Sequence, residues 1–327
     1  MSHTYVIVDF HNLIMRSRHG MRAPDAHGAI GMALHLTFSS IRKMWSDFNA
    51  SHLIVAMEGR SWRRDVYEPY KANRRVTAAA RTPQQVQEDE EFFTAIGTLQ
   101  DYLVNRTNCT VLRHAQAEAD DMIARWIALH PQDQHIIIST DSDFQQLLAS
   151  NVRIYNGMTN QLFALEGITE NGKPCVDKKG QLLPVPEPSW LLFEKIVRGD
   201  SSDNIMSAYP GVRKTKLREA YEDREKQGFA WNNLMLSRWT DHNDKEITVR
   251  DAYIRNRALI DLSAQPVQFQ QQFDAAIVEA VNRPARSQIG FHFLRFAAQW
   301  ELKRIESRAA EYTTCFSSAY EGHLLQA

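Results

Sequence analysis

The segment HIIISTDSDFQQLL (His135–Leu148) runs three consecutive isoleucines into a polar turn. Two aspartates one residue apart, Asp141 and Asp143, follow before an apolar pattern resumes at Phe144. The isoleucine run has the length and β-branched content of a buried strand. An Asp at such a strand's end is a good helix N-cap, and acids are favoured in a helix's first turn. One Asp needs no further account. Two of them leave cap and functional site equally open on this motif alone.

Working outward, YVIVDFHNL (Tyr5–Leu13) and HLIVAMEG (His52–Gly59) also read as short buried strands ending in a turn. CTVLR (Cys109–Arg113) and NVRIYN (Asn151–Asn156) supply two more strands, with helical patterns such as Ala29–Phe48 between. Short apolar runs alternating with helices predict an α/β core, a parallel sheet with helices on both faces. From Thr159 to Pro188 the pattern changes. NGKP at Asn171–Pro174 and KKG at Lys178–Gly180 are turn signals, which predicts a hairpin insertion over 159–188. Pro184, Pro186 and Pro188 then form a stiff link, and after Trp190 the chain reads as mainly helical. The expected division is a core over 1–189 and a helical domain over 190–327, without internal repeats or low-complexity tracts.

The totals are those of an ordinary globular chain: 43% apolar, 24% charged, net charge −1. Any basic surface must therefore be local. Cys109, Cys175 and Cys315 are odd in number and far apart, which fits a reducing compartment and argues against a disulfide framework or a cysteine metal site. Asp9 interrupts any signal-peptide core, and no apolar run approaches the ~18–20 residues of a membrane helix. The expectation is a cytoplasmic protein with no membrane partner.

In a parallel α/β sheet, ligands sit beyond the carboxyl ends of the strands. Asp9, Glu58 and the Asp141–Asp143 pair all fall there, and Asp9 and Glu58 do not obviously start helices. AEADDMIARWIALH (Ala117–His130) adds Glu118, Asp120 and Asp121 at a helix start, where dipole stabilisation explains one or two acids comfortably and three less so. IVRGDSSDNI (Ile196–Ile205) adds Asp200 and Asp203, which alone would be a turn with an N-cap. Nine carboxylates gathered on one edge stay ionised together only if cations offset them. Oxygen-only donors suit Mg²⁺, with Mn²⁺ as a substitute, and two ions ~3.5–4 Å apart suit phosphodiester hydrolysis.

Directly after Glu58 comes GRSWRRDVYEPYKANRRVTAAAR (Gly59–Arg81), with Arg60, Arg63, Arg64, Lys71, Arg74, Arg75 and Arg81 interleaved with Trp62, Tyr67 and Tyr70. Cations among aromatics are what single-stranded nucleic acid requires, for phosphate contacts and base stacking. A solvated helix face is the competing account.

These motifs resemble the flap endonuclease and 5′-3′ exonuclease family, and most closely its phage ribonuclease H branch. VDFHNL, AMEGRSWRRDVYEPYKANR, AEADDMIA, STDSDFQQLL and RGDSSDNI occur in the family's order over residues 5–205. The resemblance implies a PIN-like 5′-nuclease core and two groups of metal ligands. Asp9, Glu58, Glu118, Asp120, Asp121, Asp141 and Asp143 belong to the first group and its shared positions, Asp200 and Asp203 to the second. It places Lys71 and Arg64 as catalytic cations near the scissile phosphate. Residues 60–105 become an arch for a single-stranded 5′ end, and the Asp200 region leads to a helical hairpin that holds duplex DNA. Implied substrates are branched or flap DNA and RNA–DNA hybrids, with removal of RNA primers during replication. Implied partners are a single-stranded-DNA-binding protein or a sliding clamp, the enzyme itself acting as a monomer. Two departures stand out: Glu58 occupies a usual Asp position, and PGVRKTK (Pro210–Lys216) has one glycine where the family often has several. Side-chain cations Arg213, Lys214 and Lys216 are then expected to carry more of the duplex contact. Two other readings compete. A small PIN-type ribonuclease lacks the basic segment and RGDSSDN. A catalytically weak DNA-structure-binding module would have lost metal ligands, and here none is lost.

Overall fold

The computed structural model describes residues 2–20, 26–185, 187–241 and 244–325, the side chains of 16–20, 26 and 75 excepted. In chain order the first elements are β1 (Thr4–Asp9), α1 (Phe10–Gly20), α2 (Ala26–Asp47), β2 (His52–Ala56), α3 (Arg63–Val66), α4 (Ala72–Ala79), α5 (Pro83–Arg106) and β3 (Thr110–Leu112). There follow α6 (Ala119–Leu129), β4 (Gln134–Ile138), a 3₁₀ turn (Ser142–Leu147), β5 (Val152–Asn156), β6 (Gln161–Ala164), β7 (Gly167–Glu170) and β8 (Lys173–Pro174). The remainder is α7 (Pro188–Arg198), α8 (Lys214–Glu222), α9 (Phe229–Met235), β9 (Arg238–Thr240), β10 (Glu246–Thr248), α10 (Val249–Ile260), α11 (Val267–Val281), α12 (Ile289–Gln299), α13 (Lys303–Glu306) and α14 (Ala309–Ser317).

The main sheet has the order β3-β2-β1-β4-β5-β6-β7-β8. Its first five strands are parallel, as the apolar runs predict, and the last three add on as an antiparallel meander. The hairpin expected over 159–188 is thus an extension of the sheet. Side chains alternate across a strand, and both faces of β1 are buried. Val6 and Val8 join a core with residues of α2, α5, α12 and α14, whereas Tyr5 packs edge-on against Trp126 of α6. Helices on both faces explain why the strands are continuous apolar runs.

The chain forms two compact units. One holds residues 1–60, 81–185 and 271–327; the other holds 61–80 and 186–270. The break at 185–186 lies close to the expected boundary at 189–190, but the two-block division is corrected twice. First, the last 57 residues do not join the helical unit: α12 and α14 bring Phe293, Phe296, Cys315 and Phe316 into the sheet's core. Second, the expected arch over 60–105 is split, with 61–80 in the second unit. Thr82 opens α5 with a capping box to Gln85, and Phe92, Ile96, Leu99 and Leu103 recur at helical spacing and are buried in the first unit's core. Of the proline link, Pro188 opens α7, a position that suits its missing N–H, while Pro186 lies outside the described residues.

At the amino end of the sheet lies a buried cluster of rings. His52 Nδ1–H donates to the Ser318 carbonyl at 2.9 Å, and Nε2 sits 2.7 Å from Thr110 Oγ1. His130 reaches Tyr320 OH at 2.8 Å, and His135 reaches the His130 carbonyl at 3.0 Å. Burial is the main cause that pushes His52 and His135 down to about 4, and it lowers His130 as well. Neutral rings in the fold and ordinary rings in the unfolded chain make this contribution complete above the usual value of 6.5. It is lost as the pH falls toward 4. Between about pH 7 and about pH 5, each of these two rings should cost the first unit about 2 kcal/mol of stability. Urea denaturation at both pH values, with and without His135→Asn, measures this; identical pH sensitivity of the two proteins would show that the ring carries none of the loss.

Candidate metal centre and nucleic-acid contacts

In the first unit, register carries the acidic residues to one edge. Asp9, the last residue of β1, pairs with Ala56 of β2, so Glu58 follows two residues beyond that level. Val8 pairs with Ile138 of β4, which sets Ser139 beside Asp9. Ser139 Oγ donates to Asp9 Oδ2 at 2.8 Å, and Asp141 N–H donates to Ser139 Oγ at 3.0 Å. Contrary to the reading that Asp9 starts no helix, α1 begins at Phe10, and Asn12 N–H donates to Asp9 Oδ1 at 3.4 Å. Asp9 therefore caps a helix while standing at the strand end.

Glu58 is brought toward Glu118 by backbone pairing. Gly59 N–H donates to the Ala117 carbonyl and Arg60 N–H to the Ala115 carbonyl, both at 2.8 Å. A Cβ on Gly59 would meet the His114 carbonyl at 2.1 Å, so only glycine permits this approach. Glu118 is the N-cap of α6, and Asp120 and Asp121 occupy its first turn. Glu118 N–H donates to Asp121 Oδ2 at 3.2 Å, and Asp121 N–H to Asp120 Oδ1 at 2.7 Å. One carboxylate oxygen from each of the three lies within 4.8 Å of the others, although Asp121 is fully buried and Glu118 nearly so. Among the described residues this is the one group of three or more such donors. The helix N-terminus favours negative charge there.

The capping reading of the Asp141 pair holds, and the turn is also linked to Asp9. Asp141 Oδ1 accepts from Asp143 N–H at 2.9 Å and so caps the 3₁₀ turn, while its backbone is tied through Ser139 to Asp9. The donor set is carboxylate oxygen throughout, which fits a hard divalent cation and offers nothing to a soft one.

In the second unit, Asp200 and Asp203 are arranged differently. Asp203 accepts from Tyr70 OH at 3.0 Å and Arg74 at 3.1 Å, with Lys71 Nζ at 3.4 Å. Lys71 adopts a left-handed backbone (φ 52°) and donates its N–H to the Asp203 carbonyl at 2.9 Å, so the YKANR and SSDN segments are laced together. Lys195 sits 2.8 Å from Asp200, and Ser202 donates to Asp200 twice. Burial works against ionisation of Asp200, but the bonds from Lys195 and Ser202 outweigh it and hold the carboxyl below its ordinary value. These two acids are met by the protein's own cations, not by further acids.

The basic residues divide as sharply. Arg60, Arg64, Arg74, Arg213 and Lys214 are exposed. Arg75 falls outside the described side chains. Lys216 lies over the Tyr209 ring and 3.4 Å from Ser237 Oγ. Pro210-Gly211, with Gly211 at φ 70° and Val212 N–H donating to the Tyr209 carbonyl, is a turn of the kind its sequence signals. It delivers Arg213 as the N-cap of α8. Arg63 corrects the expectation of a nucleic-acid contact. It is 1% exposed, donates Nε–H to the Leu259 carbonyl at 2.7 Å, and lies over Trp62, which stacks on Phe269. The charge run gave no sign of this, because an arginine's long stem packs wherever aromatics surround it. Ser139, Asn12 and Gly59 were also missed, though all three stand inside the motifs quoted above.

The model described as 5′-3′ exonuclease, N-terminal resolvase-like domain matches residues 4–173, 170 of the 327. The chain is 28% identical over 212 residues to the flap endonuclease Xni of Shewanella loihica, covering 64% of this chain and 72% of that enzyme. It is 25% identical over 284 residues to DNA polymerase I of Rhizobium leguminosarum, covering 83% of this chain but 24% of the polymerase. In fold it is similar to the D15 flap endonuclease of bacteriophage T5, solved as a complex with DNA and metal ions. There the TM-score is 0.58 at 20% identity, over 86% of this chain and 100% of the other. Among the described residues no helix is long and apolar enough to cross a membrane.

Arg63→Ala should lower the stability of the second unit by about 2–4 kcal/mol, from lost packing and an unpaired Leu259 carbonyl. DNA affinity at a temperature where the variant stays folded should match the parent. An unchanged melting curve with a shallower salt dependence of binding would restore Arg63 to the nucleic-acid surface.

Proposed function

The chain belongs to the 5′-3′ exonuclease family, a family of metal-dependent phosphodiester hydrolases, and from that premise we propose that it cuts near the 5′ ends of flap DNA and RNA–DNA hybrids. The observation that carries the reading is the close set of Glu118, Asp120 and Asp121 oxygens beside the carboxyl ends of the strands. With Asp9, Glu58, Asp141 and Asp143 on the same edge, the first unit offers oxygen donors suited to Mg²⁺, and Mn²⁺ in its place. Two bound ions would polarise the phosphodiester and serve the attacking and leaving oxygens. Asp200 and Asp203 would hold an ion of their own, in competition with Lys195, Lys71 and Arg74 for the same carboxylates. Lys71 would act as a catalytic cation for charge developing on the phosphate, with Arg64 in the same role. Arg60, Arg74 and Arg75 contact the single strand; Arg213, Lys214 and Lys216 contact the duplex. Removal of RNA primers, a cytoplasmic location, action as a monomer, and a single-stranded-DNA-binding protein or sliding clamp as partner belong to the same proposal. The flap endonuclease relative and the T5 complex with DNA and metal ions support its substrate class.

Cleavage of a labelled 5′-flap duplex should occur with Mg²⁺ and stop with EDTA. Asp141→Asn with Asp143→Asn should abolish it while flap affinity persists, because phosphate contacts are made elsewhere. A double variant that cuts at the parent rate would refute the ligand assignment. Lys71→Ala should slow single-turnover cleavage on the order of 10²-fold with little change in affinity. An unchanged rate with weaker binding would make Lys71 an ordinary phosphate contact.

A further inference from the structure

We propose that Ser139 and Asn12 are positioning residues that lock Asp9 and the Asp141 turn into one preformed unit before any ion binds. The proposal rests on the reading of Asp9 and Asp141 as metal ligands. Ser139 is 1% exposed, and its single hydroxyl serves both acidic residues. A hydroxyl has one proton and two lone pairs. The Asp141 N–H occupies a lone pair at 3.0 Å, and the proton goes to Asp9 Oδ2 at 2.8 Å. Asn12 completes the clasp one residue on. Its Oδ1 accepts from both Thr140 N–H at 3.1 Å and Thr140 Oγ1–H at 2.6 Å. Its own N–H donates to Asp9 Oδ1 at 3.4 Å. Three consecutive positions after β4, Ser139, Thr140 and Asp141, are therefore tied to the β1–α1 junction.

Carboxylates meant to share cations repel one another until the cations arrive. The STDSD turn, with Asp141 exposed, is held by buried Ile138 before it and Phe144 after it, and the clasp fixes the polar residues between them without touching an ion. Hydrogen bonds that orient metal-binding carboxylates are typically worth 10–100-fold in metal affinity or activity. The role is presetting, so its loss should appear as weaker metal binding that excess metal overcomes.

The test titrates Mn²⁺ into the protein by calorimetry without DNA, and separately follows single-turnover flap cleavage against Mg²⁺ concentration. Ser139→Ala and Asn12→Ala should each bind Mn²⁺ on the order of 10-fold more weakly. The Mg²⁺ midpoint for cleavage should rise by the same factor, with the rate restored at saturating Mg²⁺. Ser139→Thr, which keeps the donor, should bind as the parent does. If Ser139→Ala does not melt cooperatively, Asn12→Ala, in the more open half of the clasp, decides by the same readouts. Parent-like Mn²⁺ affinity and Mg²⁺ midpoint in the alanine variants, with binding lost in Asp9→Ala, overturn the clasp and leave the ligand reading standing. Parent-like binding in Asp9→Ala itself would remove the ligand reading, and the clasp with it.

Discussion

Repulsion among carboxylates is the constraint around which the first unit is built. Glu118, Asp120 and Asp121 present oxygens within 4.8 Å of one another. At that separation, and at the effective dielectric of a partly buried site, each like-charged pair costs roughly 3 kcal/mol. A fold of ordinary stability tolerates few such pairs. The protein answers with geometry that leaves the acids little freedom to part. The α6 N-terminus faces three of them, the Gly59 pairing holds the Glu58 loop to the loop before α6, and Ser139 ties Asp9 to Asp141. Three carboxylate oxygens gathered within one ion's reach are donors that a hard divalent cation could share, which is why the arrangement reads as a candidate metal centre.

The second unit solves the reverse problem. Two of its acids, Asp200 and Asp203, are already matched by Lys195, Lys71 and Arg74, in a lacing that accompanies a left-handed backbone at Lys71. A non-glycine residue in that conformation is held there by its surroundings. The surroundings here are the Asp203 carbonyl, its carboxylate and the Tyr70 ring beneath the ammonium. The pairing is uneven in exposure: Lys71 and Asp203 are largely buried, while the Arg74 side chain is mostly in solvent. Arg63 takes no part in that lacing, since its guanidinium is spent on the packing of Trp62 and the Leu259 carbonyl.

The five strands, their parallel pairing and the acids at their ends were legible in the sequence because period and burial leave few alternatives for runs such as HIII and YVIV, although the strand order was not. The turn at Pro210-Gly211 was legible for a different reason, a positive φ that few residues other than glycine accept. Two further things were not. The return of α12 and α14 to the first unit's core depends on long-range packing of Phe293, Phe296 and Phe316, and an amphipathic helix does not declare which core it covers. The fate of each arginine in GRSWRRDVYEPYKANRR was also hidden, since Arg63 and Arg64 are adjacent in sequence and opposite in exposure. One turns its side chain onto Trp62 and the other into solvent, and composition weighs them alike.

The two ends of the main sheet divide the work. The carboxyl end concentrates charge, close backbone approach and short polar turns, all of which lower local stability. The amino end carries Tyr5, Trp126, His130, His135 and Tyr320 in mutual ring contact, with the histidines held neutral by burial. Aromatic packing is among the larger stabilising contributions available to a core. The chain segment after α14 supplies part of it, since Tyr320 and the Ser318 carbonyl both bond to buried imidazoles. Closing the far end of the sheet with residues from the end of the described chain lets the near end keep its acids in tension. The acidic edge is then tied by a few hydroxyl and amide hydrogen bonds, on strands whose other ends are closed by packed rings.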